Sequence, residues 1–229
     1  MNNGAQSTLI LVRHAHTEMA GRFCGISDPP LSTEGLAQLE VLNRKLAAYP
    51  LTHIFSSDLQ RARQTAESIA RGRGLQIEYL EFLHELAFGS WEGLDWDQIM
   101  MRDPDYAQRW LNGYPSIPAP GGEYFDDFFQ RVQYAMTAIA GQVEGGCAAV
   151  VTHAGVIRTF LGSLAQLQHV TLDLAQCEYA SCWEVGCDDG RWYLPVATPV
   201  SSEATWEPVT PSSSSAVAGM STSPLLECK

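Results

Sequence analysis

The chain has 229 residues, 45% of them hydrophobic, enough to bury one sizeable core but not those of two full domains. Its net charge of -12 excludes broad attraction to nucleic acid or an anionic membrane, because both need clustered lysine and arginine; an anion would have to be drawn in by a local field. Cysteines at 24, 147, 177, 182, 187 and 228 form no CxxC pair and read as reduced thiols of a cytoplasmic protein. The spacing of Cys177, Cys182 and Cys187 fits no common zinc pattern. Met1 to Thr8 lack a basic region, and the apolar run that follows is cut short by Arg13, so neither a signal peptide nor a membrane span is expected.

In chain order, Leu9-Ile10-Leu11-Val12 reads as a parallel strand buried on both faces, with polar residues emerging at its carboxyl end. A turn-rich loop leads to Ser32, an N-cap for a helix carrying Leu36, Leu39, Leu42 and Leu46 at helical spacing. Thr52 to Ser56 predicts a second strand, and Asp58 to Arg71 a helix that stops near Gly72 and Gly74. Gln76 to Tyr79 predicts a short strand. Glu85 to Gly122 reads as aromatic and loop-rich, Glu123 to Val143 as helix, Ala148 to Val151 as strand and Val156 to Leu167 as helix. Ser181 to Val185 and Arg191 to Val196 predict a hairpin turning at Asp188-Asp189-Gly190. Beyond Ala197 the chain is rich in Ser, Thr and Pro and is expected to be disordered. Alternating strands and helices predict a mostly parallel sheet with helices on both faces. The sequence contains neither a GxxxxGK[ST] nor a GxGxxG loop, which disfavours P-loop chemistry.

Chemistry concentrates in four segments, each at the carboxyl end of a strand or in the loop after it. Arg13-His14 sets an imidazole beside a guanidinium; a lone histidine there could simply cap the strand, but the arginine points to an anion. A neutral imidazole is a good nucleophile toward phosphorus, and neighbouring cations keep it neutral. In Ser56-Ser57-Asp58-Leu59-Gln60-Arg61, helical geometry puts Arg61 on one face with Thr65 and sends Arg63 elsewhere, so Arg61 is either an anion fork or a surface arginine. Glu85 and Glu92 are rival carboxyl groups among Leu86, Phe88 and Trp91, apolar neighbours that raise a carboxyl pKa as a general acid requires. Thr152-His153-Ala154-Gly155 pairs a second histidine, either an anion donor or a partner of a loop carbonyl, with small residues that let backbone approach a ligand at a helix start.

Together these segments resemble the histidine phosphatase superfamily, the phosphatases and mutases related to cofactor-dependent phosphoglycerate mutase. Arg13-His14 is similar to the family's nucleophile motif and Ser56 to Ala66 to its second-arginine helix. Thr152 to Arg158 is similar to its second-histidine segment, and Glu85-Leu86-x-Phe88-Gly89-x-Trp91-Glu92-Gly93 to the phosphatase form of its acid-bearing loop. The resemblance implies a three-layer α/β/α sandwich over residues 1–197, followed by a tail at 198–229. It also implies His14 as nucleophile, Glu85 rather than Glu92 as general acid, and Arg13, Arg61, His153, Thr17 and the amide of Ala154 as phosphate ligands. It implies a small phosphorylated metabolite as partner, with no metal and no cofactor. Trp110, Pro120-Gly121-Gly122-Glu123, Phe128 and Arg131-Val132 resemble the branch containing alpha-ribazole phosphatase, which makes alpha-ribazole 5'-phosphate the candidate substrate. Two departures stand out: Ala15 replaces the usual glycine, and Ala20 an asparagine that typically bonds phosphate. The competing readings are a mutase-like phosphotransferase and a catalytically silent phosphoester-binding module. The sequence carries no signal of oligomeric state.

Overall fold

The computed structural model describes residues 6–168 and 177–195. The Ser/Thr/Pro-rich tail and Cys228 lie outside the described residues. In chain order the elements are β1 (Ser7–Arg13), α1 (Thr33–Leu46), β2 (His53–Ser56), α2 (Gln60–Ala70), β3 (Ile77–Tyr79), α3 (Trp96–Arg102) and α4 (Pro104–Gly113). They continue with α5 (Phe125–Val143), β4 (Cys147–Thr152), α6 (Ala154–Gln168), β5 (Cys182–Asp188) and β6 (Arg191–Tyr193). The strands form one sheet in the order β3-β2-β4-β1-β5-β6, parallel across β3, β2, β4 and β1 and antiparallel through β5 and β6. Helices cover both faces, so the fold is the expected α/β/α sandwich.

Strand alternation explains the layering. Leu9, Leu11, Phe55, Ala148 and Val150 face one way and pack with Val132, Met136 and Ile139 of α5 and Ile157, Phe160 and Leu161 of α6. Ile10, Val12, Ile54, Ala149 and Val151 face the other way, against Leu39, Leu42 and Leu46 of α1 and Ala62, Ala66 and Ile69 of α2. Both faces of β1 and β4 are thus buried, which is why their sequences show no polar alternation. Among the described residues no helix is long and apolar enough to cross a membrane.

The elements depart from expectation at two places. Leu36 is 55% exposed, and the buried stripe of α1 runs instead through Gly35, Leu39, Leu42 and Leu46. The stretch expected to be loop-rich contains α3 and α4: Asp95 caps α3 in a capping box with Gln98, and Asp103 caps α4 with Pro104 at its first turn. These short helices carry Ile99, Ala107 and Trp110 into the core. The terminal hairpin forms as expected, with Asp189 at φ 47° and Gly190 at φ 74°, the pair of positive φ values that a tight two-residue turn requires.

Trp110, 1% exposed, meets Trp91 at 5.2 Å, Tyr114 at 5.1 Å and Phe23 at 5.8 Å between ring centroids. Removing that ring leaves a cavity that so crowded a set of aromatics cannot close. Trp110→Ala is expected to cost about 3–5 kcal/mol, seen as a lower urea midpoint with an unchanged slope.

Candidate active site

Register brings the polar residues together. β1 and β4 are parallel neighbours with Arg13 opposite Thr152, so His14 and His153 leave adjacent strands at the same level, and the His14 amide donates to the Thr152 carbonyl at 2.9 Å. β2 ends alongside, where the Ser57 amide donates to the Val151 carbonyl, and α2 starts three residues later with Arg61 in its first turn. The carboxyl ends of parallel strands thus converge on one pocket, the place where open α/β sheets bind ligands. Arg13, His14, Thr17, Arg61, Glu85 and Ala154 all line it, with Arg22, Phe23, Phe88, Gly155, Arg158 and Tyr179 among the other walls.

At its centre the His14 ring donates from Nδ1 to the Ala15 carbonyl at 2.8 Å, since that oxygen can only accept. Nε2 therefore keeps its lone pair, which faces the Nε–H of Arg61 at 3.3 Å. Burial, then the charges of Arg61 and Arg13, hold the His14 pKa well below 6.5, so the imidazole is neutral. His153 is fully buried, its ring 5.1 Å from that of His14, and burial followed by Arg61 and His14 depresses its pKa likewise. The Ser57 hydroxyl accepts from the Leu59 amide and lies 3.0 Å from His153 Nε2. The other ring nitrogen of His153, Nδ1, is buried without a partner.

The two cations are equally unusual. Arg61, 1% exposed, donates to the carbonyls of Ser27, Gly25 and Cys24 at 2.6, 2.7 and 3.3 Å. Arg13 donates through Nη1 to the Cys177 carbonyl, its guanidinium carbon stands 3.7 Å above the centre of the Tyr179 ring, and its Nε is buried without a partner. Among the described residues neither arginine pairs with a carboxylate: the ion pairs are His16 with Glu34, Arg44 with Glu40, His84 with Asp58 and Arg131 with Glu123. Two buried cations beside a neutral imidazole thus line one cavity, a setting suited to an anion, while His153 packs behind His14 without lining that cavity.

The rival carboxylates separate by their partners. Glu92 accepts from the amides of Gly25, Ile26, Ser27 and Phe88 and from the Ser27 hydroxyl, which makes it a clamp on the loop that Arg61 also grips. Glu85 instead lines the pocket. Its oxygens accept from the Leu86 amide at 2.9 Å and the Gly155 amide at 2.8 Å, and a Cβ at position 155 would lie 2.1 Å from Oε1, so only glycine permits this approach. Leu86 and Trp91 belong to the core, while Phe88 packs in the core and also lines the pocket with Glu85. The glycine after His153 therefore serves Glu85, where the sequence suggested close approach by a ligand. Arg131 braces the acid-bearing loop, donating to the carbonyls of Phe82, His84 and Glu85 while paired through two nitrogens with Glu123.

Sequence reasoning missed Tyr179, Ser57 and Arg22. Tyr179 and Arg22 belong to segments without periodicity, and the serine was one hydroxyl in a motif that an arginine dominated. Thr65 does share a buried face with Arg61, accepting from the Ala15 amide and donating to the Arg61 carbonyl, while Arg63 points away over the Tyr79 ring. Ala15 has no positive φ, and its methyl is buried among apolar side chains. Ala20 is half-buried and does not line the pocket. Burial pushes the Cys24 thiol up to about 11, so it stays protonated.

The chain is similar to several known proteins over most of its length. The chain is 34% identical over 196 residues to the bifunctional protein Rv2228c of Mycobacterium tuberculosis, covering 82% of this chain and 54% of that protein; it spans about half the length of these first relatives. It is 28% identical over 203 residues to the adenosylcobalamin/alpha-ribazole phosphatase of Salmonella typhimurium, covering 87% and 98%. Among solved structures, Bacillus stearothermophilus YhfR superposes with a TM-score of 0.71 at 31% identity, covering 85% of this chain and all of that one. Residues 9–197 match the family model of the histidine phosphatase superfamily (branch 1), and the chain belongs to that superfamily.

Proposed function

We propose that the protein is a metal-independent phosphomonoesterase, acting on a small phosphorylated metabolite through a phosphohistidine at His14, with residues 1–197 as its working unit. One observation carries the reading. A neutral imidazole with its Nδ1 proton pinned and its unprotonated Nε2 facing the Nε–H of Arg61 stands between two buried guanidinium groups that, among the described residues, have no carboxylate partner.

In the first step Nε2 of His14 attacks phosphorus and a P–N bond forms as the ester P–O bond breaks. The equatorial oxygens take donors from Arg13, Arg61, the His153 ring, the Thr17 hydroxyl and the Ala154 amide. Glu85, protonated, passes its proton to the departing alkoxide. As a carboxylate it then takes a proton from water, whose oxygen attacks phosphorus as the P–N bond breaks, releasing inorganic phosphate and restoring the imidazole. The same cage would serve a mutase. Hydrolysis is favoured by the Glu85-Leu86-Ala87-Phe88-Gly89 loop, which resembles the phosphatase form. The name of the Salmonella relative makes alpha-ribazole 5'-phosphate the first natural ester to assay. The free thiols of Cys24, Cys147, Cys177, Cys182 and Cys187 suit the cytoplasm.

Release of phosphate from p-nitrophenyl phosphate tests the reading: His14→Ala is expected to lower turnover more than about 1000-fold, while a chelator changes nothing. Undiminished turnover by the alanine variant would overturn the proposal. Glu85→Gln should slow alkyl phosphates about 100-fold or more yet affect the nitrophenyl ester far less, because a good leaving group needs no proton.

The neutral state of the two histidines has a consequence for stability. Each has a folded pKa well below its ordinary 6.5, so the unfolded chain binds more protons as pH falls, and stability that is complete above 6.5 is lost toward the folded values. Urea unfolding between about pH 7.5 and 5.5 should therefore show a steeper loss for the native chain than for a His14→Gln, His153→Gln double variant.

A further inference from the structure

We propose that the pocket mouth holds a second anion site built on Arg22, so that the preferred substrate is a phosphomonoester whose leaving group itself carries a negative charge, a carboxylate or a second phosphate. The inference rests on the reading of His14 as phosphoryl acceptor. Arg22 lines the same pocket as His14 and Glu85, and although exposed it is fixed. Its Nη1 donates to the Gly93 carbonyl at 2.8 Å and to Gln98 Oε1 at 3.3 Å. That glutamine is itself held in the capping box of α3, its Oε1 accepting from the Asp95 amide at 3.0 Å. Both anchors use one nitrogen. Among the described residues the Nε–H and Nη2–H groups have no protein partner, and they form the edge of a guanidinium that takes a carboxylate or phosphate through two parallel hydrogen bonds.

Charge distribution supports the same conclusion independently. The chain carries 26 acidic residues against 14 lysines and arginines, yet the pocket is lined by Arg13, Arg22, Arg61 and Arg158 and by a single carboxylate, Glu85. Arg13 and Arg61 flank His14 and suffice for one phosphoryl group. Arg22, beside Phe23, adds positive potential at the mouth beyond what the phosphoryl group takes up. In an acidic protein this field is confined to the pocket, so it discriminates between esters by the charge of the part that departs.

A matched pair of esters tests this: 3-phosphoglycerate and glycerol 3-phosphate differ in a carboxylate against a hydroxymethyl group, with p-nitrophenyl phosphate as the control for the chemical step. The native protein should favour the acidic ester in kcat/KM by about tenfold, and Arg22→Gln should remove most of that preference through KM. Arg22→Lys, which keeps the charge but not the fork, should retain part of it. Equal kcat/KM for the pair, or a preference unchanged in Arg22→Gln, overturns the second anion site while hydrolysis of the nitrophenyl ester leaves the phosphatase reading standing. If the native protein hydrolyses none of the three esters, both fall together.

Discussion

Two guanidinium groups buried without carboxylates set the terms for everything around them. A buried charge is costly unless matched, and here the matching is left to neutral carbonyls: those of Ser27, Gly25 and Cys24 for Arg61, and that of Cys177 for Arg13. Carbonyl dipoles reduce the penalty without cancelling the charge. The site therefore keeps a positive potential that an anion can satisfy, and the same potential holds His14 and His153 neutral. The neutral imidazole and the positive potential around it are consequences of one arrangement.

The scaffold keeps that arrangement from collapsing. Parallel pairing of β4 with β1 on one side and β2 on the other fixes where the two histidines and Ser57 emerge, but the opposite wall is irregular backbone and needs its own supports. Glu92 gathers the amides of residues 25–27 and so holds the carbonyls that grip Arg61. Arg131, paired with Glu123, gathers the carbonyls of the segment that carries Glu85. Each loop is thus pinned by one charged side chain that satisfies several backbone groups, an economical way to order a segment with few ladder hydrogen bonds.

Much of this was legible in the sequence because it rests on local pattern. The unbroken apolar runs before His14 and His153 announced buried strands, Ser32 announced a helix start, and four-residue spacing put Arg61 and Thr65 on one buried face. What escaped depends on tertiary contact. The helices α3 and α4 are short and lie in an aromatic stretch that reads as loop, and their Asp95 and Asp103 caps were the local signal that could have marked them. Glu85 and Glu92 have similar neighbours in sequence; only which of them finds five donors separates a clamp from a pocket carboxylate. Tyr179 reaches Arg13 across more than 160 residues of chain, a separation that no window captures.

The same contacts bear on whether the pocket merely binds. Ala15, the departure that most suggests a silent module, has no positive φ, its side chain belongs to the buried apolar cluster on the α1/α2 side of the sheet, and its carbonyl and amide still serve His14 and Thr65. The substitution therefore alters packing behind His14 and leaves its ring in place. Glu85 argues more strongly. A module that only held phosphoesters would gain from every cation in the cavity and lose from a carboxylate lining it, since like charges oppose binding. Yet a glycine is required at position 155 to let that carboxylate approach, and Arg131 is committed to bracing its loop. So much structure spent on keeping an acid beside an anion cage favours proton transfer over binding alone.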